Sequence, residues 1–300
     1  MSARSGPVTR SGFAALAGRP NVGKSTLANA IVGEKVAIVS DKPQTTRRAI
    51  RGVATGEDWQ LVLVDLPGVQ RPRDALTDRM QHRVESELAD ADVCLFVVNA
   101  EQGIGPGDRF IAGLLATAGV PVVLAVNKVD RADRAHTAAT LQAAADLDVA
   151  EEIFPVSART GAGVPVLVQK LASLLAPGPF YFEARQRSDQ SQEVMLAELI
   201  REQVLARTRE EVPHAVEVEL GAVERMRDDL ARIEAVILVE TDSQKGILIG
   251  AAGRMIKSIG IASRKALERQ LGLRVHLDLS VRVRRHWRAD ERVLDRLGIE

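Results

Sequence analysis

Gly18-Arg19-Pro20-Asn21-Val22-Gly23-Lys24-Ser25 reads G-x-x-x-x-G-K-[ST], and this stretch decides the fold. Its glycines let the backbone turn tightly, so that successive N–H groups converge on phosphate oxygens. Lys24 is placed to reach the β- and γ-phosphates and the Ser25 hydroxyl to ligate Mg²⁺, with Thr26 completing the phosphate-contacting stretch. The run Phe13-Ala14-Ala15-Leu16-Ala17 before it has the character of a buried strand, and Ser25 to Val32 that of a helix whose N-terminus faces the phosphates. A chance match in a glycine-rich turn would not bring strand, loop and helix in that order.

Further chemistry lies at the ends of later strands. Ser40 to Arg48 is polar and aperiodic, a loop in the position where nucleotide switches carry a Mg²⁺-ligating threonine. Thr46 is the candidate, with Thr45 as the neighbouring alternative. Trp59 to Val64 is a strand that ends in Asp65-Leu66-Pro67-Gly68. Asp65 is placed to hold Mg²⁺ directly or through water, and the Gly68 N–H to meet the γ-phosphate. Lys24, Thr46 and Gly68 form the expected catalytic set. Val69 follows, also in contact with nucleotide, where a water-orienting glutamine is common. Valine cannot orient water, so the backbone, another side chain or a bound cation must do so.

Asn127-Lys128-Val129-Asp130 ends another strand as N-K-x-D. A carboxylate at Asp130 accepts from the N1–H and 2-amino group of guanine, whereas adenine would leave it unpaired, a strong basis for discrimination. Lys128 packs along the base and Asn127 ties loops together. Ser157-Ala158 follows the last strand, where the Ala158 N–H is expected to donate to guanine O6. Sites at the ends of successive strands, with helices between them, predict a doubly wound α/β domain on a parallel sheet over residues 11–176.

The chain has 300 residues, 46% of them apolar, and suits two domains with real cores. Net charge is zero, so whole-chain charge names no partner. The one cysteine, Cys94, sits in an apolar run and reads as a small buried hydrophobe. No disulfide framework or metal cluster is legible, and no apolar run approaches the roughly 20 residues of a membrane span. Residues 1–10 read as a disordered tail without the apolar segment of a signal peptide. Ala176-Pro177-Gly178-Pro179 opens a linker over 177–186.

Residues 187–300 have their own periodicity. An amphipathic helix over Glu193 to Thr208 precedes strands at Val216 to Leu220 and Ile233 to Glu240. Gly250-Ala251-Ala252-Gly253 separates a short helix from a longer one over Arg254 to Leu271, and Arg274 to Val283 alternates as a third strand. This order matches an α+β type II KH fold, in which the G-x-x-G loop admits a single-stranded RNA backbone. Lys245 to Arg288 is strongly basic, whereas Glu183 to Asp242 is acidic. Lys245, the four loop residues, Arg254 and Lys257 are the candidate RNA contacts.

With both halves read, the chain resembles the Era family of bacterial GTPases over nearly its whole length. The residues that carry this are GRPNVGKSTLAN, KPQTTR, DLPG, NKVD and SAR, then TREEVPHAVEVE (Thr208 to Glu219), QKGILIG and the C-terminal VRVRRHWRADERVLDRLG. The resemblance implies GTP hydrolysis to GDP with Mg²⁺, binding of 16S rRNA near its 3′ end, and a role in 30S subunit assembly. It implies a cytoplasmic monomer that does not bind DNA, with peripheral contact to the inner membrane. It also implies K⁺ assistance through Asn21, which would suit a chain with valine at position 69. The sequence departs from the family's usual D-T-P-G at Leu66, and its G-A-A-G loop lacks the usual lysine, which should weaken RNA affinity and its salt dependence. Two other readings compete: a constitutive KH clamp with a structural nucleotide, and a membrane-associated signalling GTPase with a protein partner.

Overall fold

The computed structural model describes residues 9–42, 45–69, 74–210 and 212–299. They form two compact units, the first comprising Met1–Ala37, Thr46–Arg73 and Thr77–Asp189, the second Ile38–Thr45, Asp74–Leu76 and Gln190–Glu300.

The first unit begins with β1 (Arg10–Ala17), α1 (Lys24–Val32), β2 (Ile50–Thr55) and β3 (Trp59–Asp65). It continues through α2 (Ala75–Ala89), β4 (Val93–Asn99), α3 (Pro106–Thr117), β5 (Val122–Asn127), α4 (Arg134–Ala145), β6 (Glu152–Pro155) and α5 (Val164–Leu174). The six-stranded sheet has the order β2-β3-β1-β4-β5-β6. Alternation along the strands sorts side chains to two faces. Ala14, Leu16, Leu95 and Val97 join Leu27 of α1 and Leu167 and Leu171 of α5. Ala15, Ala17, Phe96 and Val98 join Val84 of α2 and Ile111 and Leu115 of α3. The sheet is covered on both faces, the doubly wound arrangement expected, and the order reverses at β1, where such folds bind ligands.

One expectation is corrected: the sheet is mixed, not wholly parallel. β2 pairs antiparallel with β3, Val53 opposite Val62. Its sequence, IRGVAT, lacks clean alternation and does not announce a strand. The neighbouring strand's hydrogen-bond ladder, rather than local pattern, makes it one.

The expected linker also differs, whereas most of the expected tail falls outside the described residues. Met1 to Val8 lie outside the described residues, but Arg10 opens β1 and the Thr9 hydroxyl donates to the Gly178 carbonyl at 2.8 Å. Residues 177–189 group with the first unit, because polar side chains satisfy their backbone. Gln60 accepts from the Tyr181 and Phe182 N–H groups at 2.8 and 2.9 Å, and the Ser188 hydroxyl donates to the Arg51 carbonyl at 2.6 Å. The unit boundary thus falls after Asp189 rather than after residue 186.

The second unit carries α6 (Gln192–Arg207), α7 (Val212–Ala215), β7 (Glu217–Arg227), β8 (Leu230–Val239), α8 (Asp242–Ile249), α9 (Arg254–Leu271), β9 (Arg274–Val283) and α10 (Glu291–Arg296). The sheet order is β7-β8-β9, with β7–β8 antiparallel and β8–β9 parallel. Leu196, Leu199, Ile200 and Val204 of α6 pack with Leu248, Ile259 and Leu267 over Ile233, Ala235 and Ile237 of β8. Trp287 is fully buried, and its indole N–H donates to the Ala215 carbonyl at 2.8 Å, fixing the turn around α7.

Candidate nucleotide site and basic face

The phosphate loop lies between β1 and α1, and its shape depends on close approaches. Gly23 has φ 101°, and a Cβ there would sit 2.4 Å from Asn127 Nδ2. Gly68 abuts the loop, since its Cβ would meet the Pro20 nitrogen and Cγ at 2.8 Å. The Lys24 ammonium folds over the loop onto the Gly18 and Arg19 carbonyls at 3.0 and 3.2 Å. Arg19 contributes backbone to this loop, while its guanidinium is tied to the fully buried Asp108 at 2.8 Å. Sequence reasoning missed Asp108; its signal is the position three residues after Gly105, whose N–H it accepts at 2.8 Å.

Three groups expected around Mg²⁺ converge. The Thr46 hydroxyl lies 3.1 Å from Ser25 Oγ and 3.5 Å from Asp65 Oδ2. The Thr45 hydroxyl instead donates to the Lys42 carbonyl at 2.7 Å. Asp65 is fully buried, and its Oδ1 has no hydrogen-bond partner among the described residues. Burial pushes its carboxyl up to about 6, against the opposing pull of Lys24 and the hydroxyls of Ser25 and Thr46. Burial also lowers Lys24 to about 8, with Asp65 opposing. A buried carboxyl group with one unused oxygen beside two hydroxyls is a donor set that suits a hard cation.

The side of the site that meets the base is equally tied. Asn127 Nδ2 donates to the Val22 carbonyl at 3.0 Å and Lys128 Nζ to the Asn21 carbonyl at 2.7 Å. The Ser157 hydroxyl donates to Asp130 Oδ1 at 2.6 Å. The Ala158 N–H donates to Asn127 Oδ1 at 3.0 Å, so guanine O6 would have to share or displace that bond. The Val69 and Leu66 side chains lie in the apolar core, at 6% and 0% exposure, so only their backbone is left to meet a ligand. Pro67 follows Leu66 on the loop after β3, Thr26 lies in the first turn of α1, and Val129 opens a short helical turn after β5.

In the second unit, Gly250 (φ 70°, ψ 171°) and Gly253 bracket a tight turn at the start of α9. Such backbone at Gly250 is nearly restricted to glycine, and a Cβ would fall 2.8 Å from that of Met255. Ile247, Ile249 and Ile261 are exposed near this loop. A groove of about 250 Å³ runs beside α9, with Gly260, Ile261 and Leu277 as its apolar part and Lys257, Arg264 and His276 as its polar part. The basic segment is less uniformly available than its sequence suggests. Arg284 pairs with Asp290 at 2.9 Å and Arg288 with Glu240 at 2.8 Å. Lys245, Arg254, Lys257 and Lys265 form no ion pair among the described residues, so the unpaired cations gather about α8 and α9.

A phosphate loop, a convergent Ser–Thr–Asp set and an N-K-x-D loop at one end of a doubly wound sheet, joined to a KH-type unit, define a P-loop GTPase with an appended nucleic-acid-binding fold. Family models agree: a 50S ribosome-binding GTPase model matches residues 13–128 and a KH domain model residues 211–288. The chain is 46% identical over 294 residues to GTPase Era of Mycolicibacterium paratuberculosis, covering 96% of this chain and 98% of that one. It is 45% identical to GTPase Era of Mycobacterium tuberculosis with the same coverage. Among solved structures it is similar to a point variant of Aquifex aeolicus Era bound to GDP·AlF₄⁻, at 32% identity and TM-score 0.92, covering 97% of this chain and 99% of that one. An Era structure with MgGDPNP and nucleotides 1506–1542 of 16S ribosomal RNA matches with the same identity, coverage and TM-score. The chain belongs to the Era family of GTPases.

Proposed function

We propose that this protein hydrolyses GTP to GDP and uses the nucleotide state to gate binding of the 3′ end of 16S rRNA during assembly of the 30S subunit. The convergence of Ser25, Thr46 and Asp65, with the unused Asp65 oxygen, is the observation that carries the nucleotide half. Lys24 leaves the Gly18 and Arg19 carbonyls to pair with phosphate oxygens. Asp130 selects guanine by accepting from its N1–H and 2-amino group. Ser25 and Thr46, with Asp65, would hold Mg²⁺, which would supply charge neutralisation to the phosphate oxygens. The Gly68 N–H orients the terminal phosphate.

The buried Val69 leaves water positioning to other groups, which supports K⁺ assistance beside Asn21, a residue at φ 64° whose carbonyl receives Lys128. Equal turnover in K⁺ and Na⁺ buffers would rule that out. The RNA half is supported by the G-A-A-G turn and the unpaired cations of α8 and α9. Lys257→Ala should weaken binding of an RNA copying the 16S 3′ end and reduce the salt slope by about 1; an unchanged slope would remove Lys257 from the interface. Among the described residues no single helix is long and apolar enough to cross a membrane.

A further inference from the structure

The turn between β4 and α3 carries no nucleotide motif, yet it holds the phosphate loop from outside. Arg19, the first variable residue of that loop, sends its side chain to the start of α3. Its Nε donates to Asp108 Oδ1 at 2.8 Å and its Nη2 to the Gly103 carbonyl at 3.4 Å. The Asp108 side chain is 0% exposed. Its other oxygen accepts from the Gly105 N–H at 2.8 Å, so both oxygens are engaged. The sequence prepares this seat. In Gly105-Pro106-Gly107-Asp108, a Cβ at Gly107 would fall 2.6 Å from Arg19 Cδ and 3.1 Å from its Cγ. Gly107 stands in the first turn of α3, where alanine is the better helix former, so the glycine makes room for the arginine stem rather than favouring the helix. All of these residues lie in the first unit.

We infer that Asp108 is a positioning residue for the phosphate loop: acting through Arg19, it holds the loop peptides in place before a nucleotide arrives. The inference rests on the nucleotide-site reading above. A cradle of converging N–H groups does not hold itself together when empty, because like ends of peptide dipoles face one another. Its anchors must come from outside, and the neighbouring residues each have one. Gly68 abuts Pro20, Lys128 Nζ donates to the Asn21 carbonyl, and Asn127 Nδ2 donates to the Val22 carbonyl. At residue 19 the Lys24 ammonium is a temporary anchor, since it must leave the Arg19 carbonyl to meet phosphate oxygens. The Asp108 pair does not depend on Lys24, so it holds Arg19 with and without nucleotide. A loop fixed in this way has less freedom to lose on binding, and the saving shows as affinity.

The test uses the full chain and reads GDP affinity together with hydrogen exchange in the nucleotide-free protein, over residues 18–25 and 106–117. Asp108→Asn keeps the shape of the side chain but removes the charge that pairs with Arg19. It should lower GDP affinity about tenfold and speed exchange in the phosphate loop. Gly107→Ala separates positioning from structure, because it favours the helix while driving a Cβ into the Arg19 stem. It should leave exchange in α3 at or below the parental rate, yet lower GDP affinity about three- to tenfold and speed exchange in the loop. It also covers the case in which the asparagine variant does not fold. Parental GDP affinity in folded Asp108→Asn or in Gly107→Ala would overturn the inference. Faster exchange confined to α3 would overturn it too, since Asp108 would then act only as the cap of that helix. If the parent itself binds no GDP, the nucleotide-site reading fails first.

Discussion

Gly23→Ala should damage the nucleotide-free protein through one identifiable contact. The backbone at Gly23 is left-handed, φ 101° and ψ 27°, where an alanine costs about 1–2 kcal/mol. The new Cβ would lie 2.4 Å from Asn127 Nδ2, so that amide must move. It donates to the buried Val22 carbonyl at 3.0 Å, and a buried hydrogen bond left unmade costs about 1–3 kcal/mol. The single variant should therefore lose roughly 2–5 kcal/mol. In an Asn127→Ala background the clashing atom and its bond are already gone, so the same change should cost only about 1–2 kcal/mol. The assay is a double-mutant cycle by urea unfolding, followed on the transition that GDP shifts, because two units need not unfold together. A coupling of about 1–3 kcal/mol is expected. Costs that add within about 0.5 kcal/mol would refute the argument that Gly23 is glycine because of Asn127.

Asp130→Asn should move preference from guanine to xanthine nucleotides, with GTP affinity falling about a hundredfold as a charge-assisted pair is lost; nucleotide competition measures it, and unchanged GTP affinity would dismiss the guanine assignment. Gly250→Ala forces a side chain into backbone that costs about 1–3 kcal/mol, so it should weaken RNA binding while GDP affinity stays at the parental value. A loss of GDP affinity in that variant would mean that the loop change is not local.

Much of this molecule is legible along the chain because its chemistry is contiguous. G-x-x-x-x-G-K-S, D-x-x-G and N-K-x-D each fall on a single loop, and the third strand of the second unit alternates over the whole of Arg274–Val283. The departures share a cause, namely that the deciding partner is distant in sequence. β2 takes its strand character from β3. The β7–β8 hairpin extends well beyond the apolar alternation, because Gly221 to Arg227 is an exposed edge segment where charges are tolerated. Val69 directly follows the D-x-x-G stretch, yet its side chain completes an apolar cluster with Leu66 and Val84. Arg201 sits between Ile200 and Glu202 and looks like part of a solvated helix face; only the return of Glu217 and of Thr45 encloses it. The linker's proline-glycine composition suggests a free tether, and the single side chain of Gln60 holds it.

The central claim is that nucleotide state controls RNA binding, and the most direct measurement is the affinity of the full chain for an RNA copying the 16S 3′ end, taken with GDPNP and Mg²⁺, with GDP, and without nucleotide. The account predicts the tightest binding with GDPNP, by about 5–150-fold, the range of a typical coupling free energy between two sites. Equal affinity in all three states would contradict it and leave a constitutive RNA clamp in its place.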